Sequence, residues 1–334
     1  MFLKKRSSTV VQETPVDSAS GATPVQEDMG ETKHVYSLKS FPLRPPLPLP
    51  EGVNRDDLFE WLRCVRVEDA PESIASYCEQ DFERFLHTFG LVQRAVAGSS
   101  EPMTGLELGA NPYFTTMLLR QFTPVDWRLA NYFGPTYAKG NARQRVFFNE
   151  FKDASVKADV ELEYSHFNIE EDVFPFDSDS LGIVLFCEII EHLLNDPIRV
   201  LREIKRILKP DGTLVLTTPN VARIENVARM IVGSNVNDGY SAYGPYGRHN
   251  REYNKHELYT LLNYLGFTVD EIFSADVHLN QADAHLDTTQ FGHLIEYRKH
   301  DLGQYIFIRA RKTGPDGGKR PGWLYRSYDP AETD

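Results

Sequence analysis

The sequence predicts an α/β fold built on a doubly wound parallel sheet. The main observation is the stretch from Phe174 to Asn220, which reads as strand, acidic turn, amphipathic helix, tight turn and strand. Within it, Leu181 to Cys187 is a short apolar run that is typical of a strand buried on both faces. A strand–helix–strand unit with short connections builds parallel sheet, and such sheets bind ligands beyond the carboxyl ends of their strands.

The helix of this unit has signals at both ends. Asp196 stands at the N-cap position and Pro197 at the first helical position. An apolar stripe then repeats at helical spacing through residues 200–208. The segment KPDG at residues 209–212 ends the helix, and the β-rich residues 213–218 predict the next strand.

Further elements follow the same pattern. Gly105 to Leu108 predicts the end of a first strand, and Thr115 to Phe122 the helix after it. About seven strands are expected in all. The remaining strands lie near 127–132, 160–166, 267–273 and 305–310. The remaining helices are one over 221–231 and one that is capped by Asn254 and ends at Gly266.

Length and charge bound the class of protein. The 334 residues can hold one large α/β domain with extensions. The 36 basic and 48 acidic residues give a net charge of −12, which argues against affinity for nucleic-acid phosphates. Cys64, Cys78 and Cys187 lack metal or disulfide spacing and indicate a reducing compartment. No apolar run approaches a membrane span, and none follows the basic start MFLKKR, so we expect a cytoplasmic protein.

Composition divides the chain into four segments. Residues 1–50 lack periodicity and predict a disordered, Pro-rich tail. Residues 51–99 carry apolar side chains at helical spacing and predict a helical cap, which either only buries apolar surface or also covers a substrate pocket. Residues 100–312 form the main domain. Residues 313–334 resemble a loose tail that two aromatic side chains could tack down.

The order of elements and motifs resembles the class I S-adenosylmethionine-dependent methyltransferases. The resemblance covers roughly residues 100–312 and is strongest in CEIIEHLLNDPIRVLREIKRILKPDGTLVLTTPN, which begins at Cys187. It implies a Rossmann-like, seven-stranded sheet whose last strand is antiparallel, with S-adenosylmethionine as the cofactor. Nicotinamide-dependent Rossmann enzymes are the poorer match, because their G-x-G-x-x-G turn is absent.

The resemblance implies a cofactor site that starts in the segment LELGANPY. Glu107 matches the acidic position at the end of the first strand, and Gly109 matches the first glycine of the turn. Ala110 and Asn111 stand where the family has further residues of a glycine-rich turn. We expect Asn111 to adopt the left-handed conformation and Pro112 to open the following helix.

Four more residues match cofactor positions of the family. Asn131 stands where an acid usually holds the ribose hydroxyls, and its amide could hydrogen-bond the same groups. An asparagine that only shapes a turn is an equal alternative. Asn168 and Ile169 match the pair that reads the edge of adenine and covers its ring. Cys187 would lie beside the cofactor, as a small buried residue can.

A possible metal site follows the fourth strand. Glu188, Glu191 and His192 are spaced i, i+3 and i+4 and would share one face of a helix. With His249 they could hold Mg²⁺, Mn²⁺, Fe²⁺ or Zn²⁺, and His256 is a less well-placed spare. The E-x-x-E-H segment is similar to those of small-RNA 2′-O-methyltransferases, where it binds a metal, and of ubiquinone-pathway O-methyltransferases. Metal-free members have a similar phrase, in which His192 or His249 would act as the base.

These residues favour an enzyme that methylates a hydroxyl of a small molecule, or of a sugar in a glycan or its precursor. A hydroxyl needs a base or a metal to react at neutral pH. RNA 2′-O-methylation is an alternative that the negative charge counts against. A non-catalytic scaffold is another, because fold alone does not establish activity. The Tyr-rich loop at 240–246, with the amino-terminal helices, is either a lid or a flexible surface loop.

Overall fold

The fold is described from a computed structural model, which covers residues 47–68, 70, 74–98, 102–148, 159–298 and 300–333. Most of the predicted disordered tail lies outside these residues. The helices are α1 (Arg55–Arg63), α2 (Ile74–Val96), α3 (Phe114–Phe122), α4 (Pro197–Ile207), α5 (Ile224–Ile231), α6 (Lys255–Tyr264) and the short α7 (Gly292–Ile295). The strands are β1 (Val65–Val67), β2 (Met103–Leu108), β3 (Val125–Asn131), β4 (Gly140–Phe148), β5 (Asp159–His166), β6 (Leu181–Cys187), β7 (Leu208–Pro219), β8 (Phe267–Ala275) and β9 (Tyr305–Lys312).

All nine strands join one sheet in the order β1-β4-β5-β3-β2-β6-β7-β9-β8. The five central strands, β5, β3, β2, β6 and β7, run parallel. β9 lies antiparallel between β7 and β8. Helices pack on both faces, so the doubly wound, Rossmann-like sheet with an antiparallel last strand is confirmed.

The predicted count of seven strands was wrong, because the described sheet has two more at one edge. β4 pairs antiparallel with β5, and β1 pairs antiparallel with β4. β4 has the sequence GNARQRVFF and is largely exposed. Its charged side chains pair across the strands, as Arg143 does with Glu161 at 3.3 Å. A polar strand near the edge of the sheet lacks the apolar signal that identified the others.

In the β6–α4–β7 unit, β6 and α4 have the predicted bounds and caps, whereas β7 begins at Leu208 and includes the predicted turn at residues 209–212. Asp196 Oδ1 accepts from the N–H groups of Ile198 and Arg199, and Pro197 occupies the first turn. Leu201 and the rest of the apolar stripe are fully buried against the sheet. This unit places the end of β6 among the carboxyl ends of the parallel strands, where ligands are expected.

The opposite face of the sheet is covered by the amino-terminal helices. α2 runs across it, with the His87 ring 4.8 Å from that of Phe307 on β9 and Arg94 Nε 2.9 Å from Glu271 Oε2 on β8. The boundaries at 51–99 and 100–312 stay predictions.

No helix among the described residues is long and apolar enough to cross a membrane.

The carboxyl-terminal segment is tacked down by Tyr325, one of the two aromatic residues that the sequence offered for this role. Tyr325 is buried, and its hydroxyl donates to Asp196 Oδ1 at 2.6 Å. Arg320 pairs with the same carboxylate at 2.7 Å, and Asp316 with Arg202 at 2.8 Å. The segment therefore straps the start of α4. The two ion pairs join residues that are distant in sequence, so composition alone did not indicate them.

Candidate active site

The chain after β6 turns sharply instead of entering an α-helix. Glu188 has φ +54°, and a 3₁₀ turn follows over Ile190–His192. Glu188 accepts a hydrogen bond from Thr217 Oγ1 at 2.7 Å, on the neighbouring strand β7. Burial raises the pKa of Glu188, and the nearby Arg84 opposes that rise. The helical face that was expected to join Glu188 to its two neighbours is therefore not formed.

Glu191 is fully buried at the same strand end. Its Oε2 accepts from Thr218 Oγ1 at 2.9 Å. Its Oε1 has no hydrogen-bond partner among the described residues, and His192 Nε2 lies 3.7 Å away. Burial, together with the charge of Glu188, raises the pKa of Glu191 well above its usual range. A buried carboxylate oxygen without a partner is costly unless a ligand completes it.

The loop 248–252 brings a second histidine to this carboxylate. Asn250 anchors the loop, because its N–H donates to the Glu191 carbonyl at 2.8 Å and its side chain to the His192 carbonyl at 2.9 Å. The rings of His192 and His249 then lie 5.0 Å apart. Glu191, His192 and His249 each offer a ligand atom within 4.8 Å of the others. In this cluster, drawn from the described residues, neither Glu188 nor His256 takes part.

Each imidazole is held by a partner at Nδ1. His192 Nδ1 lies 2.9 Å from the Arg248 carbonyl oxygen, which can only accept. His249 Nδ1 lies 2.9 Å from Glu252 Oε1. Burial and the neighbouring His249 lower the pKa of His192. Burial also acts to lower the pKa of His249, but the hydrogen bond and charge of Glu252 raise it above the ordinary value.

Two cavities flank Gly109 and share Leu108, Gly109 and Glu188. The first, of about 180 Å³, is lined by Asn131, Asn168, Ile169 and His192 among others. The second, of about 110 Å³, is lined by the remaining predicted cofactor residues, Glu107, Ala110, Asn111 and Cys187, and by Tyr77 and Arg84 of α2. All eight residues predicted for the cofactor therefore line one of two adjoining cavities.

The turn after β2 differs from the expectation. Gly109 has φ +64°, but the next left-handed residue is Tyr113 at φ +70°, not Asn111. Pro112 lies before α3, which begins at Phe114. Tyr113 is held there because its hydroxyl donates to Gln144 Oε1 at 2.8 Å and accepts from Asn131 Nδ2 at 2.9 Å. These long-range bonds maintain a conformation that is unfavourable for a tyrosine.

Asn131 and Asn168 are both engaged within the protein. Asn131 Oδ1 accepts from the N–H of Asn111 at 2.9 Å, so with Tyr113 it ties β3 to the turn. This is the turn-shaping role that the sequence left open beside ribose binding. Asn168 Oδ1 accepts from the N–H of Glu170 at 3.0 Å. The side chain of Asn168 also hydrogen-bonds to Tyr246, and both residues line the 180 Å³ cavity.

A third cavity, of about 640 Å³, lies on the other side of the histidine pair. His249 lines this cavity, whereas His192 lines the 180 Å³ cavity. Glu79 and Gln80 of α2 contribute one wall, and Tyr305 of β9 another. The two neighbouring histidines thus line different cavities, His192 the one that flanks Gly109 and His249 the larger one.

A family model described as a methyltransferase domain matches residues 80–272, which is more than half of the chain. The chain belongs to this methyltransferase family. The match begins within α2, so it includes part of the helical cap as well as the sheet. As a class I methyltransferase, the protein uses S-adenosylmethionine as its cofactor. Comparison with curated proteins gives no match.

Several solved structures of other methyltransferases are similar to this one. A complex between the Haloferax volcanii Trm112 methyltransferase activator and a methyltransferase has 19% identity, covers 78% of this chain and 100% of that one, and gives a TM-score of 0.43. An S-adenosylmethionine-dependent methyltransferase from Archaeoglobus fulgidus has 14% identity, coverage of 72% and 100%, and a TM-score of 0.43. A methyltransferase from Bacillus halodurans has 16% identity, coverage of 68% and 98%, and a TM-score of 0.39. Similarity at this level says nothing about acceptors or partners.

Two groups in the site of this methyltransferase were missed at the sequence level. Arg84 is buried on α2, with Nε 2.8 Å from Asp81 Oδ1. Arg84 was not singled out because polar residues are common on amphipathic helices. A charged residue on the apolar face of such a helix was nevertheless a signal that could have identified it. Glu252 follows His249 by three residues in the segment GRHNREY. This short spacing was the signal that could have predicted its contact with the imidazole of His249.

Proposed function

We propose that this methyltransferase transfers the methyl group of S-adenosylmethionine to a hydroxyl of a small molecule or of a sugar in a glycan or its precursor. The observation that carries the proposal is the position of the histidine pair. His192 lines the cavity assigned to the cofactor, and His249 lines the 640 Å³ cavity assigned to the acceptor. A group that spans both cavities can act on an acceptor oxygen placed behind the methyl group.

The residues beside Gly109 fit the cofactor. Gly109 lines both flanking cavities, and a Cβ there would lie only 3.0 Å from Ile189 Cδ1, so a side chain at this position would crowd the shared wall. One elongated ligand can therefore extend from Asn168, at the adenine end, to the buried guanidinium of Arg84, which suits a carboxylate. The bound sulfonium supplies an activated methyl group. Tyr246 of the Tyr-rich loop closes the adenine end, as a lid residue would.

His249 is the proposed base in the absence of a cation. Glu252 accepts from His249 Nδ1–H, which leaves Nε2 with its lone pair for the proton of the acceptor hydroxyl. Glu252 also pairs with Arg223, so its position is fixed from both sides. This arrangement raises the basicity of the imidazole and fixes its orientation.

The same residues fit a divalent cation. Glu191 provides a buried oxygen without a partner, and each histidine has its Nδ1 engaged, so both rings can present Nε2. Histidines held in this way, one by a carboxylate, are typical of metal ligands. A cation held by Glu191, His192 and His249 would orient the acceptor hydroxyl and lower its pKa. In that case His249 would be a ligand and not the base.

Transfer from radiolabelled S-adenosylmethionine to a panel of free sugars and small hydroxyl compounds tests the proposal. We expect Glu191→Ala and His249→Ala to lose at least about 100-fold in turnover, because each removes a group from the reaction centre. The affinity for S-adenosylhomocysteine, measured by calorimetry, should stay within a few-fold. His256→Ala is the control, since His256 lies outside the cluster.

Treatment with EDTA separates the two mechanisms. A rate that falls with EDTA and returns with Mn²⁺ supports the cation, whereas an unchanged rate supports His249 as the base. Full activity in both Glu191→Ala and His249→Ala would refute the proposed reaction centre. Failure of the wild-type protein to bind S-adenosylhomocysteine would refute the cofactor site.

A further inference from the structure

The cavity of about 640 Å³ next to His249 is lined by a majority of polar residues, although its exposed wall is of mixed polarity. Apart from His249 and its partners Glu252 and Arg223, the lining includes Glu225, Arg229 and Tyr305. We propose that this cavity binds a sugar ring of the acceptor, and that Glu225 and Arg229 select it through vicinal hydroxyls. The inference rests on the proposed function, which it narrows to one class of acceptor.

Part of this lining is a fixed scaffold. Gln304 Oε1 accepts from the N–H groups of Val277 and His278, at 2.9 and 2.8 Å. Gln304 Nε2 donates to Glu225 Oε1 at 2.8 Å. Because the amide is satisfied on both sides, the wall that holds Glu225 is set before any ligand arrives.

Glu225 and Arg229 keep hydrogen-bonding capacity for a ligand. Glu225 is buried, and its Oε1 also accepts from the N–H of Gln281 at 3.1 Å, which leaves Oε2 as an acceptor. Arg229 Nε donates to His285 Nε2 at 3.1 Å, and its two terminal nitrogens remain as donors. No ion pair to Arg229 is formed among the residues that the structure describes.

The two side chains lie on one face of α5, because they are four residues apart. A carboxylate accepts from a hydroxyl while a guanidinium one turn further along the helix donates to the next one, so the pair suits two neighbouring hydroxyls of a ring. Tyr305 adds an aromatic surface against which the apolar side of a sugar can lie. The cavity therefore matches a molecule that is polar on several sides.

Other acceptors match this cavity less well. A flat aromatic acceptor would need mostly apolar walls, and Pro219, Val277 and Leu279 are the aliphatic residues of the lining. An RNA backbone would need an excess of cations. The lining has three carboxylates, of Glu79, Glu225 and Glu252, and two guanidiniums, of Arg223 and Arg229.

Saturation-transfer NMR on the full-length protein with S-adenosylhomocysteine tests the inference. The probes are glucose, galactose, mannose, rhamnose and, as an aromatic hydroxyl compound, catechol. We expect transfer to at least one monosaccharide and none to catechol. Arg229→Gln and Glu225→Gln should each weaken the sugar by about tenfold or more, because a charged hydrogen-bonding group is lost. The matched control is Arg120→Gln, an exposed arginine on α3 that does not line the cavity.

Three results would overturn the sugar site: transfer to catechol alone, transfer to none of the probes, or sugar affinity unchanged in both variants. Circular dichroism shows whether the variants are folded, and Arg229→Lys, which keeps the charge, provides a second variant at that position. S-adenosylhomocysteine affinity is measured on the same samples. Its absence in the wild type would refute the proposed function, whereas its presence without a sugar signal would refute only the sugar site.

Discussion

The imidazole of His249 illustrates how much of this site depends on single hydrogen bonds. Asn250 fixes the loop to the backbone of Glu191 and His192, and Glu252 fixes the ring of His249. Both partners lie within three residues of His249, so a short segment carries its own positioning groups. The segment GRHNREY was identified from sequence because of its histidine, but the roles of its neighbours needed the contacts.

Glu107 gives the stability of the protein a pH dependence. Burial raises the pKa of Glu107 to about 8, whereas an unfolded glutamate titrates near about 4.3. The folded state therefore binds more protons between these values, so its stability is highest below the lower pKa and is lost as pH rises towards the upper one. We expect Glu107→Gln to gain stability relative to wild type between about pH 5 and about pH 8, by up to about 4 kcal/mol. Urea denaturation at both pH values measures this gain.

Glu171→Gln is the control for that comparison, because Glu171 is exposed. It should shift stability equally at both pH values. Thr116 Oγ1 donates to Glu107 and can bond either form of the side chain, so the variant keeps this contact. A gain for Glu107→Gln that does not change with pH would contradict the buried, protonated state.

The elements around β6 show where local signals succeed and where they stop. Leu181–Cys187 and the Asp196–Pro197 cap were predictable, because an apolar run and a capping pair act on adjacent residues. The 3₁₀ turn at Ile190–His192 was not, because Glu188 is bonded to Thr217 on another strand. Spacing alone favoured an α-helix there.

The strap formed by the carboxyl-terminal segment depends on Gly266. This glycine ends α6 at φ +79°, and its carbonyl accepts from the N–H groups of Thr313 and Gly314 at 3.2 and 2.8 Å. A Cβ at Gly266 would overlap the carbonyl oxygens of Gly314 and Pro315. We expect Gly266→Ala to lower the free energy of unfolding by about 2–4 kcal/mol, as measured by urea denaturation.

Gly233→Ala is the matched control, because Gly233 has φ +77° and nothing within 4 Å of the added Cβ. It should cost about 1 kcal/mol, from backbone strain alone. If the free energy of unfolding falls equally in the two variants, the contact between Gly266 and the carboxyl-terminal segment does not hold that segment in place.

The whole chain is acidic, and this bears on the RNA alternative. The 48 acidic residues outnumber the 36 basic ones, and the 640 Å³ cavity proposed for the acceptor has three carboxylates and two guanidiniums in its lining. Repulsion from phosphates then acts at both long and short range. This balance supports a small or sugar acceptor over a nucleic acid.

We expect no complex between the full-length protein and a short duplex RNA at physiological salt. Fluorescence anisotropy of labelled RNA measures this, and a titration at low salt, where ionic contacts are strongest, serves as the sensitive control. Micromolar binding that weakens steeply with added salt would instead favour RNA 2′-O-methylation.

The features that follow from the sequence are those set by near neighbours along the chain. The parallel core and the cap of α4 belong to this group, because strand runs and caps are encoded within a few residues. Distant contacts set the rest. The edge strands β1 and β4 are held by pairing, Tyr113 is left-handed because of Asn131 and Gln144, and His249 reaches His192 through the anchored loop. Which side chains meet depends on chain segments far apart in sequence, and only packing brings those segments together.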